Sequence, residues 1–381
     1  MEKSGRIYCV DLLRGLDIFY LLVISGSLLM PGVFRIWPLE SEAAIAFWTH
    51  SVTAFAAPGH MPTGFGLFDF AQPLFIFVTG VSASLAMRRF VRDDGVDLRA
   101  FWGRLLRRTL MLWLAGSLIR RLLSFRLFAV SSGGVTSFCL YSDTLHTIAV
   151  AYFAASVGLL LRSPGLRLAL GLALVGGVAV VMALCGDYTQ HGNAARLFEE
   201  AVYGRLGGRA KDFCYLLPTF TWAGMGMLAS LAGDVLKCGS SPWAKVRTLT
   251  VAGVASALLG WTLTVWIPSI RFVYTASFVF QTMGLSTLLL AALYVLTDVW
   301  NLRRGTEVLV LFGQCSLAAW MVVNFFGDSL GAAALRLTAG VPSLPGGETC
   351  QPLVVGIVRA VLLVWFVRAW RRLRVAKEVI G

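Results

Sequence analysis

Long runs of apolar residues recur from one end of this chain to the other, and they limit its fold more than any other feature. Hydrophobic residues make up 57% of the 381 residues, and charged residues only 14%. Each run is close to the roughly 20 residues that a helix needs to cross a bilayer. We therefore predict an all-α, polytopic integral membrane bundle of about ten transmembrane helices. The predicted spans are 8–29, 68–87, 105–123, 143–161, 166–185, 214–233, 248–267, 272–297, 307–326 and 352–370.

The formal net charge of +13 could indicate a nucleic-acid-binding protein, but the distribution of the charge gives a different explanation. Lys and Arg concentrate at one set of predicted helix ends, above all in the segment 88–108 and in the tail 371–374. Cytoplasmic loops of membrane proteins carry such an excess, so we predict that the N-terminus and the C-terminus are both cytoplasmic. A nucleic-acid partner is therefore not needed to explain the basic composition.

The sequence shows no soluble domain between the apolar runs, so we predict a single transmembrane domain over 1–381. The first run is long, carries Asp17 and lacks a small-residue cleavage site, which favours a retained helix over a signal peptide. The longest polar stretches fall on the predicted outer face, and they are 30–67, 124–142, 186–213 and 327–351. Polar loops on that face favour a polar substrate there.

The seven cysteines show no metal-binding spacing, and no metal site is predicted. Two roles remain open for the cysteines near the outer face, a disulfide in an oxidising periplasm or the packing of small apolar side chains between helices. The predicted topology places Cys139, Cys185, Cys214 and Cys350 near the outer face, and Cys9 and Cys238 near the inner face.

The segment from His60 to Gly80 combines ionisable side chains with the start of an apolar run. His60 lies in a turn rich in proline and glycine, and its imidazole could exchange a proton or briefly hold an acyl group. Asp69 follows nine residues later and could orient His60 or stabilise its charge. Two simpler roles remain open, a solvated loop histidine for His60 and a helix N-cap for Asp69.

The first predicted span carries Asp11, Arg14 and Asp17 at spacings of three, which place the three charges on one helix face. A lone charge at the bilayer centre costs about 3 kcal/mol or more, so we expect these groups to pair. They form either a staple between helices or a site where Arg14 meets a phosphate-bearing ligand. Arg359, inside the last span, should need a carboxylate such as Asp17 or Asp69.

Two further segments carry polar side chains that could take part in chemistry. Asp143 and His146 are three residues apart and share a helix face, so they are either a second acid–base pair or a polar helix cap. The segment 268–277 is a polar break between two predicted spans and contains Arg271 and Tyr274. Arg271 could bind an anion or a sugar hydroxyl, or could anchor the helix at the membrane interface.

Four segments, in this order, resemble the signature patterns of the transmembrane acyltransferases related to heparan-α-glucosaminide N-acetyltransferase. They are Asp11–Leu16, His60–Gly80, Tyr141–Tyr152 and Pro268–Ser277. The resemblance implies a membrane enzyme that takes an acetyl group from cytosolic acetyl-CoA and transfers it to an amino sugar or glycan on the far side of the membrane. The chain resembles a bacterial branch of the family, which implies the bacterial inner membrane and an acceptor other than heparan.

The resemblance also implies roles for single residues. His60 matches the motif histidine, and Asp69 becomes its candidate partner. Implied roles extend to Arg14, Arg88 and Arg89 near the CoA phosphates, and to Asp143, His146, Arg271 and Tyr274 near the acceptor. The implied partners are acyl-CoA, an extracytoplasmic sugar or glycan and membrane lipids, with no metal, and a homodimer is left open.

The chain departs from the family pattern at several motif positions. Thr63 replaces a tryptophan, His146 a glutamine, Asp143 an asparagine, Arg271 a lysine and Tyr274 a tryptophan. These differences leave an altered acceptor pocket or a loss of activity open.

Two other hypotheses remain. A transporter or flippase of a glycan or a lipid-linked sugar would use the charged first span as a gate, although the internal symmetry of many transporters is absent from the sequence. A degenerate family member could instead serve as a partner subunit.

Overall fold

The structure, a computed structural model, describes residues 7–33, 61, 63–64, 66–92, 95–121, 129–132, 135–138, 144–189, 191–205, 216–341 and 347–372. The described chain is almost entirely helical. Its α-helices are α1 (Tyr8–Phe19), α2 (Leu67–Met87), α3 (Leu98–Arg121), α4 (Thr144–Gly158), α5 (Pro164–Cys185), α6 (Ala194–Arg205), α7 (Pro218–Lys237), α8 (Pro242–Leu263), α9 (Ala276–Tyr294), α10 (Glu307–Gln314), α11 (Ser316–Leu337) and α12 (Gly347–Arg372).

Shorter elements connect or extend these helices. Wider π-helical turns continue α1 over Tyr20–Val33 and α9 over Val295–Val299, and 3₁₀ turns continue α2 over Arg88–Phe90 and α4 over Leu159–Leu161. Two antiparallel hairpins are also present, β1 (Val91–Arg92) with β2 (Gly95–Val96) and β3 (Ala129–Ser132) with β4 (Val135–Phe138).

Seven helical segments of the described chain are long and apolar enough to cross a membrane. The prediction of a helical integral membrane protein is therefore confirmed. The count of about ten spans and the cytoplasmic location of both termini stay predictions. The seven segments are Asp69–Phe90, Thr144–Leu161, Pro164–Cys185, Pro242–Leu263, Ala276–Val299, Ser316–Leu337 and Cys350–Arg372.

The predicted span 307–326 is wrong in its position. The helix is interrupted at Cys315, between α10 and α11, and the membrane-length helix is α11. α10 is apolar because it packs against α1. A Cβ atom on Gly15 would overlap the carbonyl oxygen of Leu309, and one on Gly313 would overlap that of Asp11. An apolar run can thus belong to a short buried helix, which hydropathy alone does not distinguish from a span.

The described helices fall into two compact units. The first unit comprises Met1–Trp48 with Ala292–Gly381, and the second comprises Thr49–Ala291. In the first unit, the Phe19 ring meets the Phe312 ring edge to face at 5.3 Å, while α12 packs on the π-helical turns after α1. The predicted single domain over 1–381 stays a prediction.

In the second unit, α7 is the central helix and packs against α2, α4 and α5. Glycines allow these contacts, since a Cβ atom on Gly226 would overlap the carbonyl oxygen of Ala151. Gly80 of α2 lies equally close to the backbone of Gly226, and Gly224 meets Gly171 of α5. Small residues at such crossings let helix backbones approach closely, which is how helices commonly associate in membranes.

A network of charged side chains centred on Asp234 lies at one end of this unit. Its carboxylate pairs with Arg167, whose side chain is almost fully buried, and with Arg88 at 2.6 Å. The Ser84 hydroxyl donates to it at 2.6 Å. Arg167 also donates to the Ser230 hydroxyl at 3.2 Å. The network therefore ties α2, α5 and α7 together at one end.

We predict that Asp234→Asn will destabilise the protein by about 3–5 kcal/mol, because it leaves the buried Arg167 guanidinium without its counter-charge. The free energy of unfolding in detergent would measure the change. The matched control is Glu200→Gln, which removes an exposed ion pair with Arg196 (2.8 Å) and should cost at most about 1 kcal/mol. Equal losses in the two variants would contradict a structural role for the network.

The exposed cysteines test the predicted sidedness. Among the described residues, Cys185, Cys238 and Cys350 are exposed free thiols, whereas Cys9 and Cys315 are buried. Hydrogen bonds from Ser240 lower the pKa of the Cys238 thiol, which favours its reactive thiolate form.

We expect a membrane-impermeant maleimide to label Cys185 and Cys350 on intact cells, and to label Cys238 only after permeabilisation. Variants that each retain one of these cysteines would report the sites separately by mass spectrometry. Labelling of Cys238 on intact cells would contradict the topology. A mild reductant would also show whether the outer cysteines are oxidised, including Cys139 and Cys214, which lie outside the described residues.

Candidate functional site

The candidate site is built around Asp69, in the first turn of α2. The backbone N–H of Gly66 donates to the Asp69 carboxylate at 3.0 Å, and the Asp69 N–H donates back to the Gly66 carbonyl at 3.1 Å. Gly66 is therefore the N-cap residue, and Asp69 stabilises the helix from its third position. The N-cap role that the sequence left open for Asp69 therefore belongs to Gly66, and Asp69 caps the helix from within its first turn.

The second carboxylate oxygen of Asp69 forms an ion pair with Arg271, 202 residues further along the chain. The Asp69 side chain is fully buried, and that of Arg271 is 14% exposed. The guanidinium also lies over the Phe272 ring, 5.1 Å from its centroid. A charge-assisted contact of this kind is stronger than a neutral hydrogen bond, and burial adds to it.

The polar break that carries Arg271 is a turn held by its own hydroxyl groups. The Thr275 hydroxyl donates to the Pro268 carbonyl at 2.9 Å, and the Ser277 hydroxyl donates to the same oxygen at 3.1 Å. Tyr274 has a φ of +50°, in the left-handed region that a bulky side chain rarely adopts. Such strain persists only where the surroundings fix the backbone, so Arg271 is presented by a defined turn.

The glycine-rich segment before α2 is fastened to the same turn. The Gly64 N–H donates to the Ser269 carbonyl at 2.8 Å, and the Met61 N–H donates to the Tyr188 carbonyl at 3.1 Å. Met61 is buried in an apolar cluster that includes Ile270. The chain next to position 60 is thus anchored beside Arg271, although His60 itself lies outside the described residues.

The loop after α5 that contributes Tyr188 is ordered by Asp187 and Asn193. The Thr189 N–H donates to the Asp187 carboxylate at 2.8 Å, and the side-chain oxygen of Asn193 accepts from Arg196 at the start of α6. α6 was not predicted, because its sequence is more polar than that of a span. Partial burial raises the pKa of Tyr188, which keeps its hydroxyl protonated.

Tyr274 and His146, both predicted near the acceptor, are buried. The Tyr274 ring meets Trp222 of α7 edge to face at 5.7 Å. His146 Nε2 lies 3.1 Å from the Ser117 hydroxyl and 3.2 Å from the Trp113 carbonyl oxygen. His146 therefore joins α4 to α3. Asp143, its predicted partner, lies outside the described residues.

Side chains link α4 to the candidate site through α2. The Gln72 amide, one turn after Asp69, donates to the Thr147 hydroxyl at 3.4 Å. Gln72 and Thr147 belong to two of the sequence segments that carry the family resemblance. Residues of three such segments therefore contact one another within the second unit.

Two of the three charged side chains on the first predicted span pair with each other. Arg14 and Asp11 form an ion pair at 3.6 Å. Asp17 is buried, and its carboxylate oxygens accept no hydrogen bond from any described residue. The expected pairing of Asp17 with Arg359 is therefore absent from the described chain, and the expected partner Asp69 pairs with Arg271 instead.

The predicted phosphate-binding arginines differ in their surroundings. Arg88 and Arg89 directly follow α2, so they lie at the opposite end from Asp69 of a helix of 21 residues. At about 1.5 Å per residue, α2 is about 30 Å long, close to the thickness of the hydrocarbon core. Arg88 is held by Asp234, whereas Arg89 is exposed beside Phe90. Arg14 lies in the other unit.

The Asp234 network was missed from the sequence. Arg167 falls inside the predicted span 166–185, and a charged residue inside a span indicates a buried partner. That signal was present, but the identity of the partner, 67 residues away, could not be inferred from spacing.

The sequence matches no protein-family model, and a search of curated proteins gives no significant match. The resemblance to transmembrane acyltransferases therefore depends on the four sequence segments and stays a prediction. Within the described residues, no three His, Cys, Asp or Glu side chains come together as a metal site.

We predict that Asp69→Asn and Arg271→Gln will each destabilise the second unit by about 3–5 kcal/mol, since each removes one partner of a buried ion pair. The double variant should lose clearly less than the sum, because neither charge then remains. Thermal or denaturant unfolding in detergent would measure the coupling. Arg271→Lys keeps the charge but loses the planar fork, and should lie between wild type and Arg271→Gln. Additive losses would contradict the ion pair.

Proposed function

We propose that this chain is an integral-membrane acyltransferase of the bacterial inner membrane. It takes an acyl group, expected to be acetyl, from cytosolic acyl-CoA and transfers it to an amino sugar or glycan at the extracytoplasmic face. The family resemblance of the four sequence segments is the first support for this proposal.

The observation that carries the proposal is the ion pair between Asp69 and Arg271. These residues belong to separate segments of the resemblance, yet they meet in a buried contact beside the turn that holds Gly64. Buried ionisable groups within membrane helix bundles often mark functional sites. The pair also lies next to the anchored chain that leads from His60, the proposed catalytic residue.

In the proposed reaction, the acceptor amine or hydroxyl attacks the carbonyl carbon of the thioester. A new C–N or C–O bond forms, the C–S bond breaks, and CoA leaves as the thiol. His60 removes the acceptor proton and returns it to the departing sulfur. In an alternative route, His60 itself attacks the thioester carbon, the C–S bond breaks and CoA leaves as the thiol. The acceptor then attacks the acyl-imidazole, the bond between the acyl carbon and His60 breaks, and the acceptor proton passes to the released imidazole. Proton transfer of this kind contributes roughly 10²–10⁴-fold to the rate.

Asp69 and Arg271 take complementary roles in this scheme. Both oxygens of Asp69 accept hydrogen bonds, from Gly66 and from Arg271, so Asp69 acts as a positioning residue rather than a base. The positive charge of Arg271 can stabilise the oxyanion of the tetrahedral intermediate. Holding the guanidinium in place before the reaction removes the cost of reorganising it.

At the opposite end of α2, Arg89 is the stronger candidate for the CoA phosphates. Arg88 is already neutralised by Asp234, and Arg14 pairs with Asp11 in the other unit. The acyl group must then travel about 30 Å along the bundle, the length of α2, to reach the end that carries Asp69.

A transporter is the second candidate function, and Asp17 favours it. A buried carboxylate without a hydrogen-bond donor among the described residues is costly, and such groups in membrane helices often relay protons or ions. The two functions differ in their product, since a transporter moves its substrate chemically unchanged.

We predict that the purified protein will release CoA thiol from labelled acetyl-CoA when a glucosamine-containing acceptor is present, and that His60→Ala will abolish this release. The matched control is His191→Ala, which changes an exposed histidine of the outer loop and should retain full activity. Mass spectrometry of the acceptor would show the added acetyl group. Undiminished transfer in His60→Ala would remove His60 from the mechanism, and movement of unmodified acceptor into vesicles would favour the transporter.

A further inference from the structure

Three arginines of α3 lie on one face near the start of the helix. Arg104, Arg107 and Arg108 are related by spacings of three and four residues, which place them side by side. Arg107 is exposed, and the other two are half-buried. We propose that this face binds the phosphate headgroup of an anionic phospholipid. The proposal is independent of the acyltransferase function.

Electrostatics within the cluster point to an anionic ligand. The positive charges of Arg89, Arg107 and Arg108 all act on the Arg104 guanidinium. Neither Arg107 nor Arg108 forms an ion pair with an acidic residue that the structure describes. Like charges that the fold holds together repel one another, and a bound phosphate relieves that repulsion.

A buried hydroxyl group lies beside these arginines. The Arg108 guanidinium lies over the Tyr152 ring at 4.5 Å from its centroid, and Arg104 is close enough to interact with Tyr152 electrostatically. The Tyr152 side chain is fully buried, and its hydroxyl has no hydrogen-bond partner among the described residues. A phosphate oxygen at the cluster would accept a hydrogen bond from it.

Apolar side chains on the same face identify the ligand as a lipid rather than a soluble phosphate. Met111 and Leu114 follow Arg107 and Arg108 at helical spacing, and they are 37% and 53% exposed. A basic group at one level and exposed apolar side chains one and two turns further along match a headgroup and its acyl chain. The cluster is on the predicted cytoplasmic side, where anionic lipids attract basic residues.

The test is native mass spectrometry of the full-length protein, titrated in detergent with phosphatidylglycerol or phosphatidylcholine. We expect phosphatidylglycerol to be retained preferentially. The double variant Arg107→Gln/Arg108→Gln should weaken its binding about 25-fold, at about fivefold for each arginine. Arg99→Gln is the matched control, because Arg99 is exposed on the same helix but away from the cluster, and it should leave binding unchanged.

Three results would overturn the proposal. They are equal retention of the two lipids, equal binding to wild type and the double variant, and displacement of phosphatidylglycerol by an excess of CoA. The last result would assign the arginines to a soluble phosphate. The exposed Arg107→Gln single variant, checked by its unfolding midpoint, keeps the test valid if the double variant does not fold.

Discussion

The cost of a buried charge governs the second unit more than any other single constraint. An unpaired carboxylate or guanidinium in apolar surroundings is expensive, so each buried charge needs a partner from a neighbouring helix or turn. Asp69 with Arg271 and Asp234 with Arg167 meet this requirement at opposite ends of α2. Each pair joins segments that are distant in sequence. Desolvation offsets much of the attraction within such a pair, whereas loss of one partner is strongly destabilising.

Close helix packing makes these pairs possible. α7 brings glycines to its contacts with α2, α4 and α5, so the helix backbones approach until a Cβ atom could not fit. Hydrophobic burial does little to drive helices together in a bilayer, because lipid tails are as apolar as leucine. Dispersion contacts between closely packed backbones and a few polar contacts have to hold the helices instead. Gly80 and Gly226 supply the first kind of contact, and the bond from Ser84 to Asp234 supplies the second.

The sequence predicted those features of the fold that depend on local composition. The start of α2 near Asp69 and the polar break around Arg271 follow from where apolar runs stop. The interruption at Cys315 was not predicted. The residues of α10 are apolar because they pack against α1, so their sequence is as hydrophobic as that of a lipid-facing span. α6 was not predicted either, since its polar sequence lacks the signal of a membrane helix.

For the candidate site, the sequence predicted the residue types but not their contacts. Asp69 and Arg271 were both singled out, yet 202 residues separate them and no spacing rule relates such positions. The family resemblance implied a role in the site for each residue, but their contact is visible only in the structure. The expectation for Arg359 shows where such reasoning fails. A charge inside a span indicated a carboxylate partner such as Asp17 or Asp69, but Asp69 forms its ion pair with Arg271.

α2 itself connects the two ends of the proposed reaction. Pro73 lies inside this helix and has no N–H, so the helix cannot satisfy the Asp69 carbonyl oxygen by its usual backbone bond. The first turn of α2 therefore depends on Gly66 and on the side chain of Asp69 for its stability. Any movement of Arg271 would act on this turn directly, whereas the far end of α2 is held separately by Asp234. Separate ion pairs therefore hold the two ends of the helix, Asp69 with Arg271 at its start and Asp234 with Arg88 just after its end.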